Sequence, residues 1–460
     1  MPAQLIETAW PDFGTTRVFP RPQAAELRQR VDALRDAAAR HGYSHTLLYA
    51  DREHFGNLAW LTGFDPRFEE ALLIVRAGAK PLLLTGVECT SYLPVSPLWL
   101  NGELRHEQYD DFSLPELTRG DYRSLEVILR EEGVGTTSRI GVIGWKSYAK
   151  PQQSDAPAYL IDTLRILAPE VRNATALLID PQHGLRTFSS ATDIAFCEAS
   201  NVVASEGLRS MIAKLPDAVN GRWTDFELAA HAGYQGLPQG CHWTLKTGQN
   251  RTSLSSANGS IVERGQPLST NICYWGSNCC RAGWVAESAA DLPADARDYV
   301  EAYVAPYFAA MAGWFERLRL GAPGGELEDW ITSQLPKEVF GIKFNAGHLI
   351  QLEEWMCSPI YPGSAIPLHS GMIFQSDVIP GSKRYFSTRL EDTYALADST
   401  LRAELRRDYP ECWNRIEARR AFLANTLGLA MSEEVLPLAN LAGWLAPFLL
   451  APHRVMAMRS

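Results

Sequence analysis

Three residues in the second half of the chain carry the types needed for chemistry: His348, Asp377 and Glu391. They sit in the phrases Phe344-Asn-Ala-Gly-His348, Gly371-Met-Ile-Phe-Gln-Ser-Asp377 and Arg389-Leu-Glu391-Asp392-Thr393. One imidazole and two carboxylates can bind a divalent ion, or can hold and protonate a small polar substrate. Spread over some forty residues, they meet only if separate strands carry them to one place. The elements that do this must therefore be read next.

An internal repeat supplies them. Ile261-Val-Glu-Arg-Gly265-Gln-Pro-Leu-Ser-Thr-Asn271 parallels Ile366-Pro-Leu-His-Ser-Gly371-Met-Ile-Phe-Gln-Ser-Asp377. In both copies a glycine turn precedes an apolar strand, and a polar residue stands six positions after the glycine. These phrases resemble the creatinase, prolidase and aminopeptidase P family, whose catalytic domain is the pita-bread fold. That fold has two related halves, so the resemblance implies that Asn271 and Asp377 face one central cleft.

The resemblance runs from about Leu47 to Val455, and its departures are informative. The family's metallopeptidases bind two ions through two Asp, a His and two Glu. Here the first Asp position falls on Asn271, and counting eleven residues on puts the second at Ala282. His348 keeps the His, Asp377 shortens the first Glu, and Glu391 keeps the second. An amide is a poor ligand for a hard cation and a methyl is none. The two-metal peptidase chemistry is therefore expected to be lost. Two readings remain: metal-free acid–base catalysis, as in creatinase, or a single divalent ion on His348, Asp377 and Glu391.

Around the trio, the resemblance assigns further positions. Where creatinase-like chains have a His a few residues after a Gly-x-Asn turn, this chain has Gly248-Gln-Asn250 followed by Ser255. Serine is a weak base without a partner, and it also serves as a plain turn cap. Trp355 stands where the peptidases have a second His, and an indole can wall a pocket or stack on a cation. Tyr274, Trp275 and Trp284 are further aromatic candidates. Arg389 is a carboxylate clamp or a partner for Asp392. Arg67 and Phe68, in Trp60-Leu-Thr-Gly63-Phe64-Asp-Pro-Arg67-Phe68, match a turn that in creatinase-like dimers reaches the partner's site, and a surface pairing of Arg67 with Glu69 or Glu70 is the plain alternative.

Composition bounds the function class. The chain has 460 residues, 46% hydrophobic and 21% charged, with a formal charge of −10. That is ordinary for a soluble protein with an ample core and argues against a nucleic-acid binder. The N-terminus lacks a charged-then-apolar signal, and Leu438–Pro452 is too short and broken to span a bilayer. Eight cysteines without paired ligand spacing read as reduced thiols. A cytoplasmic location, no membrane partner and a homodimer are the expectations, the dimer following from the resemblance.

Organisation is expected as an α/β N-terminal domain over 1–183, an α+β pita-bread domain with a pseudo-two-fold repeat over 184–400, and a C-terminal extension over 401–460 packing on it or on a dimer partner. Helical spacing marks Pro22–His41 and Asp121–Glu132, and strands are read at Tyr43–Ala50, Ala71–Leu84 and Ser138–Ile143. Ser190-Ala-Thr-Asp193 reads as a helix cap opening a helix over Thr192–Leu215. Asp291–Arg319 and Leu401–Arg420 read as single long helices. The expected activity is hydrolysis of a C–N bond in a small guanidino, amide or amino-acid-derived compound, with His348 shuttling the proton, Asp377 and Glu391 holding the substrate nitrogen, and Asn271 orienting substrate or water. A mononuclear-metal hydrolase or lyase is one alternative, a non-catalytic pita-bread binding protein another.

Overall fold

A computed structural model describes residues 2–117, 123–248 and 255–459. The chain forms two compact units, Arg21–Thr187 and Met1–Pro20 with Phe188–Ser460. The first twenty residues belong to the second unit because strand Ala3–Glu7 pairs antiparallel with Arg454–Met458. The segment after 400, expected to pack on the catalytic domain or on a dimer partner, lies in that same unit.

The unit Arg21–Thr187 is built on one six-stranded sheet. Its strand order is Arg105–Gln108, Leu82–Thr85, Ala71–Arg76, His45–Ala50, Arg139–Ile143 and Glu170–Asn173. The two central strands are apolar over Leu47–Ala50 and Ala71–Val75 and buried on both faces there, as strands covered by helices are. The span expected as one strand over 71–84 is a hairpin instead, turning at Gly78 with φ of 69°. Such positive φ is open to glycine without a steric cost. Helix Ala24–Arg40 follows the expected spacing, and the next one expected is Leu125–Glu131, with Ser124 as its N-cap. Residues 121 and 122 of that expectation lie outside the described residues.

The second unit holds two four-stranded antiparallel sheets. One runs Arg389–Glu391, Cys279–Trp284, Pro267–Ile272, Thr244–Thr247, and the other His348–Leu349, Ile373–Gln375, Thr393–Leu396, Val435–Pro437. The two glycines of the sequence repeat, Gly265 and Gly371, both have positive φ, 80° and 89°, and both open a central strand. Helix Ala191–Ala213 starts on the anticipated cap: Ser190 Oγ accepts from Asp193 N–H, and the Asp193 carboxylate accepts from Ser190 N–H.

Two helices expected as uniform depart from that reading, each at a proline. Over 291–319 the chain first makes short 3-10 turns, and the helix proper then runs without a gap from a π turn at Val300–Val304 into Ala305–Arg317, with Pro306 just past the π turn. Over 401–420 it makes Ser399–Asp408 and Pro410–Asn425. Proline lacks the N–H that would carry the helix through. Tyr303, Tyr307 and Trp314 face inward and are fully buried.

One buried cation ties the strands of the site to the C-terminal segment. Arg281 donates from Nη2 to both Asp392 oxygens at 3.0 and 2.8 Å, from Nε to Trp444 O, and from Nη1 to Cys280 O. All eight cysteines are free.

Candidate active site

The repeat delivers its two polar residues to one cavity of about 300 Å³, lined by Asn271, Asp377 and Glu391 together with Asn278, Glu354 and Arg389. Each arrives by strand geometry. Asn271 is the last residue but one of the first-half strand Pro267–Ile272, Asp377 follows the second-half strand Ile373–Gln375, and Glu391 closes a strand hydrogen-bonded to Cys279–Trp284.

Register corrects one assignment. Asn271 pairs with Cys280, whereas Ala282 pairs with Ser269 and is absent from the cavity wall. The residue that reaches the centre is Asn278, the last residue before strand Cys279–Trp284. Counting eleven residues assumes a longer hairpin than the chain has. Both first-half positions thus carry asparagine.

The two amides form a directed relay. Thr244 N–H donates to Asn271 Oδ1 at 2.8 Å, and the Thr244 hydroxyl donates to the same oxygen. A backbone N–H can only donate, so the Asn271 oxygen is fixed and its Nδ2 turns outward. That Nδ2 donates to Asn278 Oδ1 at 3.1 Å, and Asn278 Nδ2 donates to Glu391 Oε1 at 2.6 Å. Asn271 is consumed in this relay and orients Asn278 rather than a substrate.

His348 differs from its expected position. It is fully buried and stands behind the cavity, with Nε2 3.2 Å from Glu354 Oε1 and 3.6 Å from Asp377 Oδ2. Neither contact is aligned as a hydrogen bond. Glu354 was not foreseen. Its loop turns back because Leu349 N–H donates to Cys357 O and Met356 N–H to Leu349 O, which folds residue 354 over residue 348. Trp355, from the same loop, lines the cavity, its ring centroid 5.9 Å from that of His348.

Electrostatics separates the carboxylates. Burial disfavours an imidazolium at His348, but the charges of Glu354 and then Asp377 outweigh it and push its pKa up to about 9. Burial also opposes ionisation of Glu354, yet His348 holds it below the usual carboxylate range. Burial pushes Asp377 up, with His348 pulling against it. Glu391 is pushed up to about 8, first by burial and then by Asp377 and Glu354. One carboxyl is therefore neutral at pH 7 beside an ionised one.

The other expected residues fall as follows. Arg389 lines the cavity, 2% exposed, with Nη1 on Cys280 Sγ at 3.2 Å and Nε without a partner. It does not serve Asp392, which belongs to Arg281. Ser255 is outside the cavity wall, its carbonyl accepting from Leu245 N–H, while His242 lines the wall instead and bonds Ser256 Oγ at 2.6 Å. Gln249, Asn250 and 252–254 of that expected turn lie outside the described residues. Tyr274, Trp275 and Trp284 are buried away from the wall. Arg67 and Phe68 belong to the unit Arg21–Thr187, where Arg67 pairs with Asp65 at 3.4 Å and lies over the Tyr92 ring, rather than pairing with Glu69 or Glu70.

The residues present fit a divalent ion poorly. Among the described residues no three His, Cys, Asp or Glu side chains converge as ligands. At the first-half positions the Asn271 oxygen is already occupied and Asn278 presents N–H toward Glu391. A hydrogen-bond donor stands where a cation needs an oxygen.

No family model matches the sequence, and no curated protein matches it. Solved structures do. A dipeptidase from Mycobacterium ulcerans aligns at 16% identity with a TM-score of 0.59, covering 82% of this chain and 95% of that one. The prolidase from Pyrococcus horikoshii OT3 aligns at 14% and 0.60, covering 80% and 95%. The X-Pro aminopeptidase from Thermotoga maritima MSB8 aligns at 16% and 0.58, covering 80% and 95%. The chain has the pita-bread fold of these prolidase and aminopeptidase P structures, with an α/β N-terminal part.

Proposed function

We propose that the protein hydrolyses a C–N bond of a small polar substrate by carboxylate acid–base catalysis, without a metal ion. The observation that carries this reading is the Asn278 N–H donated to Glu391 Oε1. It occupies one carboxyl oxygen with a donor and leaves Oε2 to carry the proton. Burial and its anionic neighbours hold Glu391 neutral, while the charge of His348 favours ionisation of Asp377 against burial. Two carboxyls in such different surroundings can act as an acid and a base. The likeness to dipeptidase and prolidase structures supports an amide or peptide bond as the one cleaved.

In this mechanism Asp377, whose ionisation the imidazolium behind it favours against burial, takes a proton from water as the water oxygen attacks the substrate carbon. Glu391 gives its Oε2 proton to the nitrogen as the C–N bond breaks. The products are an acid and an amine, and the proton held by Asp377 then returns to Glu391 through solvent. Glu354 holds His348 charged throughout, and Arg389 offers donors to a carboxylate on the substrate.

A screen of dipeptides, amides and guanidino compounds with chelator present tests this. Turnover in chelator, abolished in Asp377→Asn and Glu391→Gln, is the expected result. Turnover that disappears with chelator and returns with Mn²⁺ overturns it.

A further inference from the structure

A second cavity of about 620 Å³ shares part of its wall with the first. Phe344, Ile379 and Arg389 line both. The second cavity is lined beyond them by Lys343 and Lys383, and among the described residues no aspartate or glutamate lines it. The first has three carboxylates on its wall. Two adjoining cavities of opposite character therefore meet at one guanidinium.

Four features make the basic cavity a built one. Arg389 is 2% exposed and its Nε has no partner, so a buried charged donor is left for an incoming acceptor. The loop behind it is closed by reciprocal backbone bonds, Ser382 N–H to Phe386 O at 2.7 Å and Phe386 N–H to Ser382 O at 3.0 Å. Ser387 Oγ donates to Pro380 O at 2.6 Å, pinning the strand end. Phe386 itself is held at φ of 68°, a conformation that a bulky L residue adopts only when its surroundings impose it.

We infer that this basic cavity binds an anionic group of the substrate, so that the substrate runs from the carboxylate-lined cavity past Arg389 and ends on Lys343 and Lys383. This rests on the hydrolase reading for the identity of the first cavity, and it names the substrate class: an amide or related C–N compound with a carboxylate or phosphate remote from the bond cleaved. Phe344, 59% exposed on the shared wall, covers the apolar stem between the two ends. The lysines are exposed, so they supply charge by adding to Arg389 rather than by burial.

Isothermal titration at fixed ionic strength tests the site without any turnover. The probes are succinate, inorganic phosphate and the neutral succinamide. Wild type is expected to bind succinate, phosphate or both at millimolar concentration, and succinamide not at all. Succinate alone assigns a carboxylate, phosphate alone a phosphoryl group. The double variant Lys343→Ala/Lys383→Ala is expected to weaken that binding at least tenfold with its melting temperature unchanged, since both side chains are exposed. Absence of binding by either anion, or equal binding in wild type and double variant, overturns the inference. The wild type separates the two proposals: anion binding kept while the wild type hydrolyses nothing in any screen sinks the hydrolase and leaves the anion site standing.

Discussion

Asn278 donates a hydrogen bond from Nδ2 to Oε1 of Glu391 at 2.6 Å, across the seam between the two halves of the repeat. The direction of that bond is forced from Thr244 onward, because each amide oxygen in the relay is already accepting. With aspartate at the same place, Glu391 would face a second anion and require a cation between them. With asparagine, the pair satisfies itself.

That contrast predicts a gain of function in metal binding. The double variant Asn271→Asp/Asn278→Asp restores two oxygen ligands and two negative charges beside Asp377 and Glu391. Calorimetry with Mn²⁺ is expected to show at least tenfold tighter binding than wild type, equivalent to about 1.4 kcal/mol. If wild type binds Mn²⁺ as tightly as the double variant, the relay does not exclude the ion.

Stability should fall as pH rises. His348 has a folded pKa of about 9 against an ordinary 6.5, so its stabilisation is complete below 6.5 and is lost as pH passes 9. Glu391, raised from 4.5 to about 8, acts in the same sense: its stabilisation is complete below 4.5 and lost through 8. His348 alone contributes up to roughly 3 kcal/mol across its window. Urea denaturation between pH 5 and 9.5 should show a falling midpoint, and Glu391→Gln should flatten the part below 8. A midpoint that rises with pH would contradict both assignments.

The C-terminal helix is fastened by a buried charge. Glu198 is fully buried and takes Arg415 at 2.6 Å and Arg419 at 2.6 Å, drawing helix Pro410–Asn425 onto helix Ala191–Ala213. Removing Glu198 leaves two guanidinium charges without their carboxylate, Arg419 keeping only the neutral oxygens of Asn440 and Pro437, which costs about 3–5 kcal/mol. Glu198→Ala should lose that much in chemical denaturation, and amide exchange should quicken first in 410–425. A loss under 1 kcal/mol would mean that water reaches the arginines.

How much of this was legible in the sequence differs by feature. The repeat was, because a glycine at positive φ and a polar residue six positions later depend only on local chain geometry, and Gly265 and Gly371 with Asn271 and Asp377 obey it. Asn278 was not, since its place follows from the length of the hairpin Cys273–Asn278, and residue counting from a longer hairpin lands on Ala282. The run Asn278-Cys-Cys-Arg281 held the signal, since Arg281 is the buried anchor of that strand. Glu354 depends on a loop that doubles back on His348, which no spacing along the chain announces. The π turn ahead of Pro306 and the helix break at Pro410 could have been read, because proline removes a helical N–H wherever it stands.

Glu391 should set the alkaline limb of the rate profile. It has to carry a proton to protect the leaving nitrogen, so kcat on an amide substrate found by the screen should fall as pH rises through about 8. Gln at this position keeps an oxygen to accept the Asn278 N–H but has no acidic proton. Glu391→Gln should therefore fold and bind, with KM little changed, while kcat falls by roughly 10²–10⁴-fold. Its residual rate should lose the limb near 8. Asp377→Asn should instead remove the dependence on the acid side, because the group that accepts the water proton is gone. An alkaline limb unchanged in Glu391→Gln would move the acid role to another group facing the cavity, with His242 the next to test.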